Sequence, residues 1–385
     1  MKIRVDRDVL AEAVAWAARR LPNRPSVPIL RGLLIKANAA GVTFSSFDYD
    51  TSARITVPAQ VTDEGEALVS GQLLADIARS LPNKPVDLSS DAGHAELVCG
   101  SARFTLQLLP VEDYPNLPEL PNPSGTVPSA DFARAVNQVV VAAGRDELLP
   151  VFTGVRLEIA GDTLTLLATD RYRMAMRELG WNPVHAQAEG AALVPSRVLA
   201  ETARSMVSGE TVTLALSNSP TDQLIGFEGD GPGGARQLTT RLLDGEFPKV
   251  RHLMDIKPNV VVRANTADLV DSVKRVALVA ERNTPMRMII GDEQISLEAA
   301  SGDQAQASEA LPASVQNLIG GEPAITAAGF NPHYLQDALG ALDTPYVHFS
   351  FTQAGKPCLV QGLSELDGEP ETEYRHVIML MRLPN

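Results

Sequence analysis

The sequence predicts an α+β fold made of three copies of one unit, each about 125–135 residues long. Three observations carry this. A helical pattern with an acid in its first turn recurs at Asp8, Asp131 and Asp268, 123 and then 137 residues apart. Each such helix is followed by alternating apolar and polar runs around a Gly or Asp turn, the mark of an antiparallel meander. Two passages also close alike, LPVEDYPNL at Leu109–Leu117 and LLDGEFPKV at Leu242–Val250, 133 residues apart. Recurrence at a near-fixed period is how internal duplication shows itself.

The elements follow in order. DRDVLAEAVAWAARRL, SADFARAVNQVVVAAGR and TADLVDSVKRVALVAER space their apolar residues helically, with acids early and arginines late, as the helix dipole favours. They predict helices over Asp6–Arg20, Ser129–Arg145 and Thr266–Arg282. The meanders are GLLIKANAAGVTFSSFDYDTSARITV, GVRLEIAGDTLTLLATDRYRMAMREL and MRMIIGDEQISLEAASGDQAQASEAL. A short second helix opens each later half, over Gln72–Ser80, Ser196–Val207 and Pro332–Leu342, behind a small polar cap. Further alternating strands end the copies, the last in YRHVIMLMRL. Boundaries fall near Pro121–Pro128, where PNPSGTVP reads as a linker, and near Asp255–Asn259. The expected domains are 1–122, 123–257 and 258–385.

A chain of 385 residues exceeds what one hydrophobic core usually serves, which agrees with several domains. No run approaches 18 consecutive apolar residues, so no membrane span is expected. MKIRVDRDVL carries charges where a secretory signal needs its apolar region, and Cys99 and Cys358 stand alone, outside any CxxC spacing. Both features fit the cytoplasm. The six histidines lie singly, so neither a metal site nor a cofactor is expected.

Catalytic motifs are equally scarce. GDGPGG (Gly229–Gly234) formally satisfies G-x-G-x-x-G, but Pro232 interrupts it and RQLTTRLL behind it alternates like a strand. It reads as a hairpin loop. Asp48 and Asp170 occupy matching places, and their SSFD and LATD settings read as turns serving the repeat, against the alternative of a catalytic carboxylate pair in a hydrolase. No catalytic residue is assigned, and an enzyme is not expected.

Net charge is −14, which taken alone argues against nucleic acid as a partner. Its distribution is uneven. The six predicted helices hold 11 Lys/Arg and 10 Asp/Glu, leaving 22 and 37 for the rest. Dipole complementation on solvated helices accounts for much of this. The alternative is a weakly basic helical face that tolerates DNA on an otherwise repelling molecule.

VPILRGLLI near the start, LATDRYRMAM in the middle and VIMLMRL at the end, within this threefold repeat, resemble the bacterial DNA polymerase III beta subunits, the replicative sliding clamps. The likeness covers residues 1–383. LVSGQLLADIARSLPNKPVD, PVEDYPNLP, TTRLLDGEFPKV and FNPHYL look most like the actinobacterial branch. The resemblance implies three clamp-type domains per chain and a ring-shaped head-to-tail homodimer, with helices lining a central hole and antiparallel sheets outside. It implies a non-catalytic processivity factor that encircles double-stranded DNA without reading its sequence. Its partners would be the replicative polymerase, the clamp loader, other polymerases and mismatch-repair proteins, each bound through a short linear motif.

By position, the resemblance implies a peptide cleft of Phe152, Thr169, Arg171, Tyr172, Arg173, Met174, Pro248, Leu253, Asn331, Tyr334, Val377, Met379, Met381 and Arg382. Phe104 and Leu106 would meet Leu278 and Val279 across the ring interface, the plainer reading of these four being core packing. Arg24, in the NRP loop, would face DNA, with Arg79, Arg145, Arg197, Arg204 and Lys274 beside it. Arg171 stands where many relatives have glycine, Tyr172 where many have histidine, and Leu380 replaces a frequent proline. Pro384–Asn385 extend past the usual end. A scaffold that binds partner peptides without loading onto DNA is the alternative function.

Overall fold

The computed structural model describes residues 1–22, 24–91, 93–217, 223–281 and 284–383. Within them the first copy gives β1 (Lys2–Val5), α1 (Arg7–Ala18), β2 (Gly32–Asn38), β3 (Gly41–Phe47) and β4 (Thr51–Val57). It continues with β5 (Gln60–Asp63), β6 (Gly65–Ser70), α2 (Gly71–Ser80), β7 (Val86–Ser90), β8 (His94–Cys99) and β9 (Ala102–Gln107). The second copy repeats the order: β10 (Gly125–Pro128), α3 (Ser129–Val140), β11 (Gly154–Ala160), β12 (Thr163–Thr169) and β13 (Arg173–Gly180). Then come β14 (Asn182–Pro183), β15 (Glu189–Pro195), α4 (Ser196–Met206), β16 (Thr211–Leu216), β17 (Leu224–Gly231) and β18 (Gly234–Arg241). The third copy begins with β19 (Val260–Asn265), α5 (Thr266–Ala277), β20 (Met286–Ile290), β21 (Gln294–Ser301) and β22 (Ala305–Pro312). It ends with β23 (Ser314–Asn317), β24 (Ala327–Phe330), α6 (Pro332–Gly340), β25 (Tyr346–Phe351), β26 (Cys358–Leu363) and β27 (Tyr374–Ile378). The order of elements is the same in all three copies.

The copies do not keep their strands to themselves. The meander of the first copy joins the closing strands of the second in one sheet, ordered β14-β10-β16-β17-β18-β4-β3-β2-β6. The meander of the second joins the closing strands of the third in the order β11-β12-β13-β27-β26-β25-β19-β23. The chain accordingly divides into two compact units that cut through the second copy. Unit 1 is 1–133, 181–194 and 198–242; unit 2 is 134–180, 195–197 and 243–385.

In unit 1, Asp6 caps α1, its carboxylate accepting from the amides of Asp8 at 2.9 Å and Val9 at 3.4 Å. Such a cap contributes about 1 kcal/mol. The helix buries Leu10, Ala13, Val14 and Ala17 in one core with Ile3, Leu33, Ile35, Phe44, Ile55 and Leu74. Each fully buried large aliphatic side chain stabilises by about 1.5–3 kcal/mol. In unit 2 the equivalent core gathers Leu269, Val273 and Val276 of α5 with Met288, Leu297, Phe330, Phe349 and Phe351.

Two helices stop more than a turn short of where their periodicity predicts, the others within about two residues. α3 stops at Val140, where the amides of Ala142 and Ala143 turn back to the carbonyls of Val139 and Val140, and Gly144 then bonds Phe152. α5 stops at Ala277 for the same reason, with three-residue bonds at Leu278, Val279 and Ala280. The apolar spacing continues through a tightened final turn, so the pattern outruns the helix. Arg145 therefore lies in a loop, and Arg282 lies outside the described residues, as do Pro384 and Asn385. The PNPSGTVP linker also needs correction: its last four residues form β10, paired with β14 and β16. Pro128 sits at the strand's end, where its missing amide costs little.

Unit 2 encloses a polar cluster. The Tyr374 hydroxyl donates to the Gln138 carbonyl at 3.1 Å, which leaves its oxygen to accept from Nδ1 of the fully buried His376 at 3.0 Å. Burial, helped by the Arg173 charge, pulls His376 down to about 3. Burial beside Arg263 pulls His348 down to about 4. Both stay neutral in the folded chain while an unfolded histidine takes up a proton near 6.5. Stability is thus complete above about pH 6.5 and is lost as pH falls toward 4, by ~1.4 kcal/mol per histidine per pH unit. Urea midpoints between pH 7 and 4.5 should show this fall, and His376→Gln should roughly halve its slope. An unchanged slope in that variant counts against the account.

Candidate functional site

The turn between β12 and β13, Asp170–Tyr172, organises one corner of unit 2. The Asp170 carboxylate accepts from the amides of Tyr172 and Arg173, both at 3.0 Å, while Thr169 Oγ1 accepts from the Arg171 amide at 3.2 Å. Folding those amides back onto Asp170 puts the residue that follows the aspartate in the left-handed region, and Arg171 has φ +80°. The matching turn of unit 1 is built alike: Asp48 accepts from Asp50 and Thr51, and Tyr49 has φ +75°. Both aspartates are occupied as turn residues.

Arg173 closes the corner. Its guanidinium pairs with Asp170 at 3.0 Å and with Asp337 of α6, and lies 4.4 Å from the centre of the Tyr334 ring. The side chain is only 8% exposed. β27 runs beside β13 with Met174 opposite Val377 and Arg173 opposite Ile378, and the Met379 amide extends the pairing to the Tyr172 carbonyl at 2.8 Å. Asn331 caps α6, accepting from His333 and Tyr334.

Between these elements lies a cavity of about 230 Å³, lined by Phe152, Thr169, Arg171, Arg173, Met174, Pro248, Val250, Leu253, Val377 and Met379. Nine of the expected cleft residues meet there. Val250 joins them without having been expected; its place in FPKV, matching Leu117 in YPNL, was the available signal. Five others lie around the cavity or away from it. Tyr172 is exposed beside Arg171, Tyr334 is reached through Arg173, and Asn331 serves as a cap. The Met381 amide bonds the Gly329 carbonyl at 2.8 Å, and Arg382 is exposed.

Among the described residues the cavity walls are apolar apart from Thr169 and the two arginines, and no carboxylate lines them. Such a space takes large apolar side chains, and two methionines give it adaptable walls. The corresponding corner of unit 1 carries an aromatic side chain instead. Phe47 stands where the second copy has Thr169, buried against Leu68 and Tyr114 and edge-on to the Tyr49 ring at 5.5 Å.

The other expected residues fall as follows. Arg24, Arg79, Arg145, Arg197, Arg204 and Lys274 are all exposed. Arg79 is 3.7 Å from Asp76, and Arg204 Nε donates to the Ala200 carbonyl. Leu106 is buried in the core of unit 1, with Phe104 and Val279 half-buried on their own cores. Leu278 is 85% exposed. β9 and β22 are the outermost strands of their sheets. Glycines 231 and 234 pair across the β17–β18 hairpin, so GDGPGG is a turn. Among the described residues, no helix is long and apolar enough to cross a membrane.

Comparison with known proteins is consistent along the whole chain. Residues 1–118 match the N-terminal domain of the DNA polymerase III beta subunit, 126–249 its central domain and 252–382 its C-terminal domain. The beta sliding clamp of Streptomyces coelicolor is 52% identical over 384 residues, covering 100% of both chains. The beta sliding clamp homolog GriR of Streptomyces muensis is 39% identical, covering 99% of both. Among solved structures, the sliding clamp of Bacillus subtilis superposes with a TM-score of 0.88 at 22% identity, over 100% of both chains. That of Pseudomonas aeruginosa bound to griselimycin does so with 0.87 at 24%, again over 100% of both.

Proposed function

The chain belongs to the DNA polymerase III beta subunit family, a DNA sliding clamp with no catalysis of its own, and from that premise we propose how it closes, slides and recruits. Two copies close head to tail into a ring around duplex DNA. One observation carries the closure. β4 pairs forward with β18 of the next copy, and β13 pairs forward with β27 of the next. Among the described residues the third strand of that kind, β22, has no such partner, and the remaining closing strand, β9, lacks its own. Open strand edges invite pairing. β22 of one chain against β9 of another repeats the contact used twice within the chain, with Leu278 and Val279 facing Phe104. Leu106, expected at the interface, packs in the core of unit 1 instead. The division into domains 1–122, 123–257 and 258–385 belongs to the same proposal.

Encirclement replaces affinity. Arg24, Arg79, Arg145, Arg197, Arg204 and Lys274 offer a few exposed charges to the phosphates, too few for tight binding and enough for a ring that moves. A net charge of −14 then keeps DNA off the rest of the surface. Polymerases, the loader and repair proteins would dock by short peptide segments in the cavity beside Met174 and Met379, in the cytoplasm, where Cys99 and Cys358 remain buried thiols.

The test is topological. After loading by its own loader, the protein should remain on nicked circular plasmid and leave at least about tenfold faster once the plasmid is cut, with a solution mass twice 41.1 kDa. Equal retention on both templates removes the ring mechanism. Peptide binding without any retention favours the scaffold instead.

A further inference from the structure

Building on the peptide cleft just described, we propose that Arg171 is its specificity-determining residue. It selects peptides that carry a carboxylate beside their apolar anchors. The argument starts from the backbone. The Asp170 turn imposes φ +80° on Arg171, a conformation glycine adopts freely and other residues adopt at a cost. A long side chain at that position makes contacts that glycine cannot. In unit 1 the same position holds Tyr49, whose ring packs on Phe47. In unit 2 the guanidinium of Arg171 is held 5.6 Å from the centre of the Phe152 ring and 5.7 Å from that of Tyr172. The two rings fix its position at the cavity rim while leaving it exposed.

Charge then separates the two arginines of the cavity. Arg173 is answered by Asp170 and Asp337. Arg171 makes no ion pair among the described residues, and no carboxylate lines the cavity. In a chain of net charge −14 this leaves a cation, oriented by aromatic faces, at the edge of an apolar hole. A peptide whose large apolar side chains fill the hole brings its flanking residue to that rim. An acid there gains a charge-assisted bond to a planar donor, which a neutral residue lacks.

The probe is a pair of capped hexapeptides, each with adjacent leucine and phenylalanine, flanked by aspartate in one and asparagine in the other. Fluorescence anisotropy with the full-length protein should show the aspartate peptide binding about three- to fivefold more tightly at low salt, the range of an exposed ion pair, and the gap closing in ~0.5 M salt. Arg171→Gln should abolish the preference, the aspartate peptide losing about three- to fivefold more affinity than the asparagine peptide. Arg171→Gly, which suits the turn's backbone, should do the same. A preference that survives both substitutions overturns the proposal, as does an equal loss of both peptides, which would make Arg171 a wall only. Failure of the cleft reading looks different: neither peptide would bind the unaltered protein, or both would still bind Met379→Asp, and the inference would fall with it.

Discussion

Arg173→Ala is expected to destabilise unit 2 by about 3–5 kcal/mol and to abolish peptide capture. The size follows from what is left behind. Asp170 loses its 3.0 Å partner in a site where both side chains are largely withdrawn from water, and Asp337 loses the cation that ties α6 to the turn. The Tyr334 ring loses the guanidinium lying on it. Removing one member of a buried pair costs far more than the pair contributes, because the survivor cannot rehydrate. Arg173→Lys should recover only part, since an ammonium cannot bridge two carboxylates and cover a ring at once. Urea denaturation followed by far-ultraviolet circular dichroism, with the peptide assay beside it, reads both effects. A loss under about 1 kcal/mol would show that the corner does not depend on this ion pair.

Arg236→Ala should cost about 3–4 kcal/mol in unit 1, through a different balance. Arg236 is 2% exposed. Its Nη1 donates to the Ser205 carbonyl at 2.7 Å, and Nη2 to the Pro232 carbonyl at 2.6 Å and to Glu12 at 3.0 Å. The guanidinium stands 5.2 Å from the centre of the Trp16 ring. It thus ties α1 of the first copy to α4 and the β17–β18 hairpin of the second. Burial pushes its pKa down, and Glu12 pushes it back up. Arg236→Met refills most of the volume and should recover at least half of the loss, leaving the carbonyls as the residue of the effect. Equal loss in both variants would place the whole cost in the hydrogen bonds.

Much of this fold was legible in the sequence because its signals are local. The six helices, the three meanders and the hairpin at GDGPGG follow from periodicity and turn chemistry. What escaped depends on geometry that spacing does not carry. Val139–Ala143 and Val276–Ala280 continue an apolar rhythm through a turn too tight to be helix, and Pro and Gly concealed β10. The cavity was out of reach of local reasoning. Met174 and Val377 are brought together only because β13 pairs with β27, and Arg173 is neutralised by an aspartate 164 residues away. The resemblance to known clamps supplied those residues; the alternating pattern could not.

Phe47 has a consequence for traffic. Each chain contains two homologous corners, and in one of them Phe47 takes the place that Thr169 has in the other. Under the proposed ring, a closed pair of chains would present two seats lined like the cavity beside Met174 and Met379. Partners that dock by peptide segments, as proposed, would then contend for those places, and handover would be a matter of displacement, set by how fast one tail vacates and how strongly the next one holds.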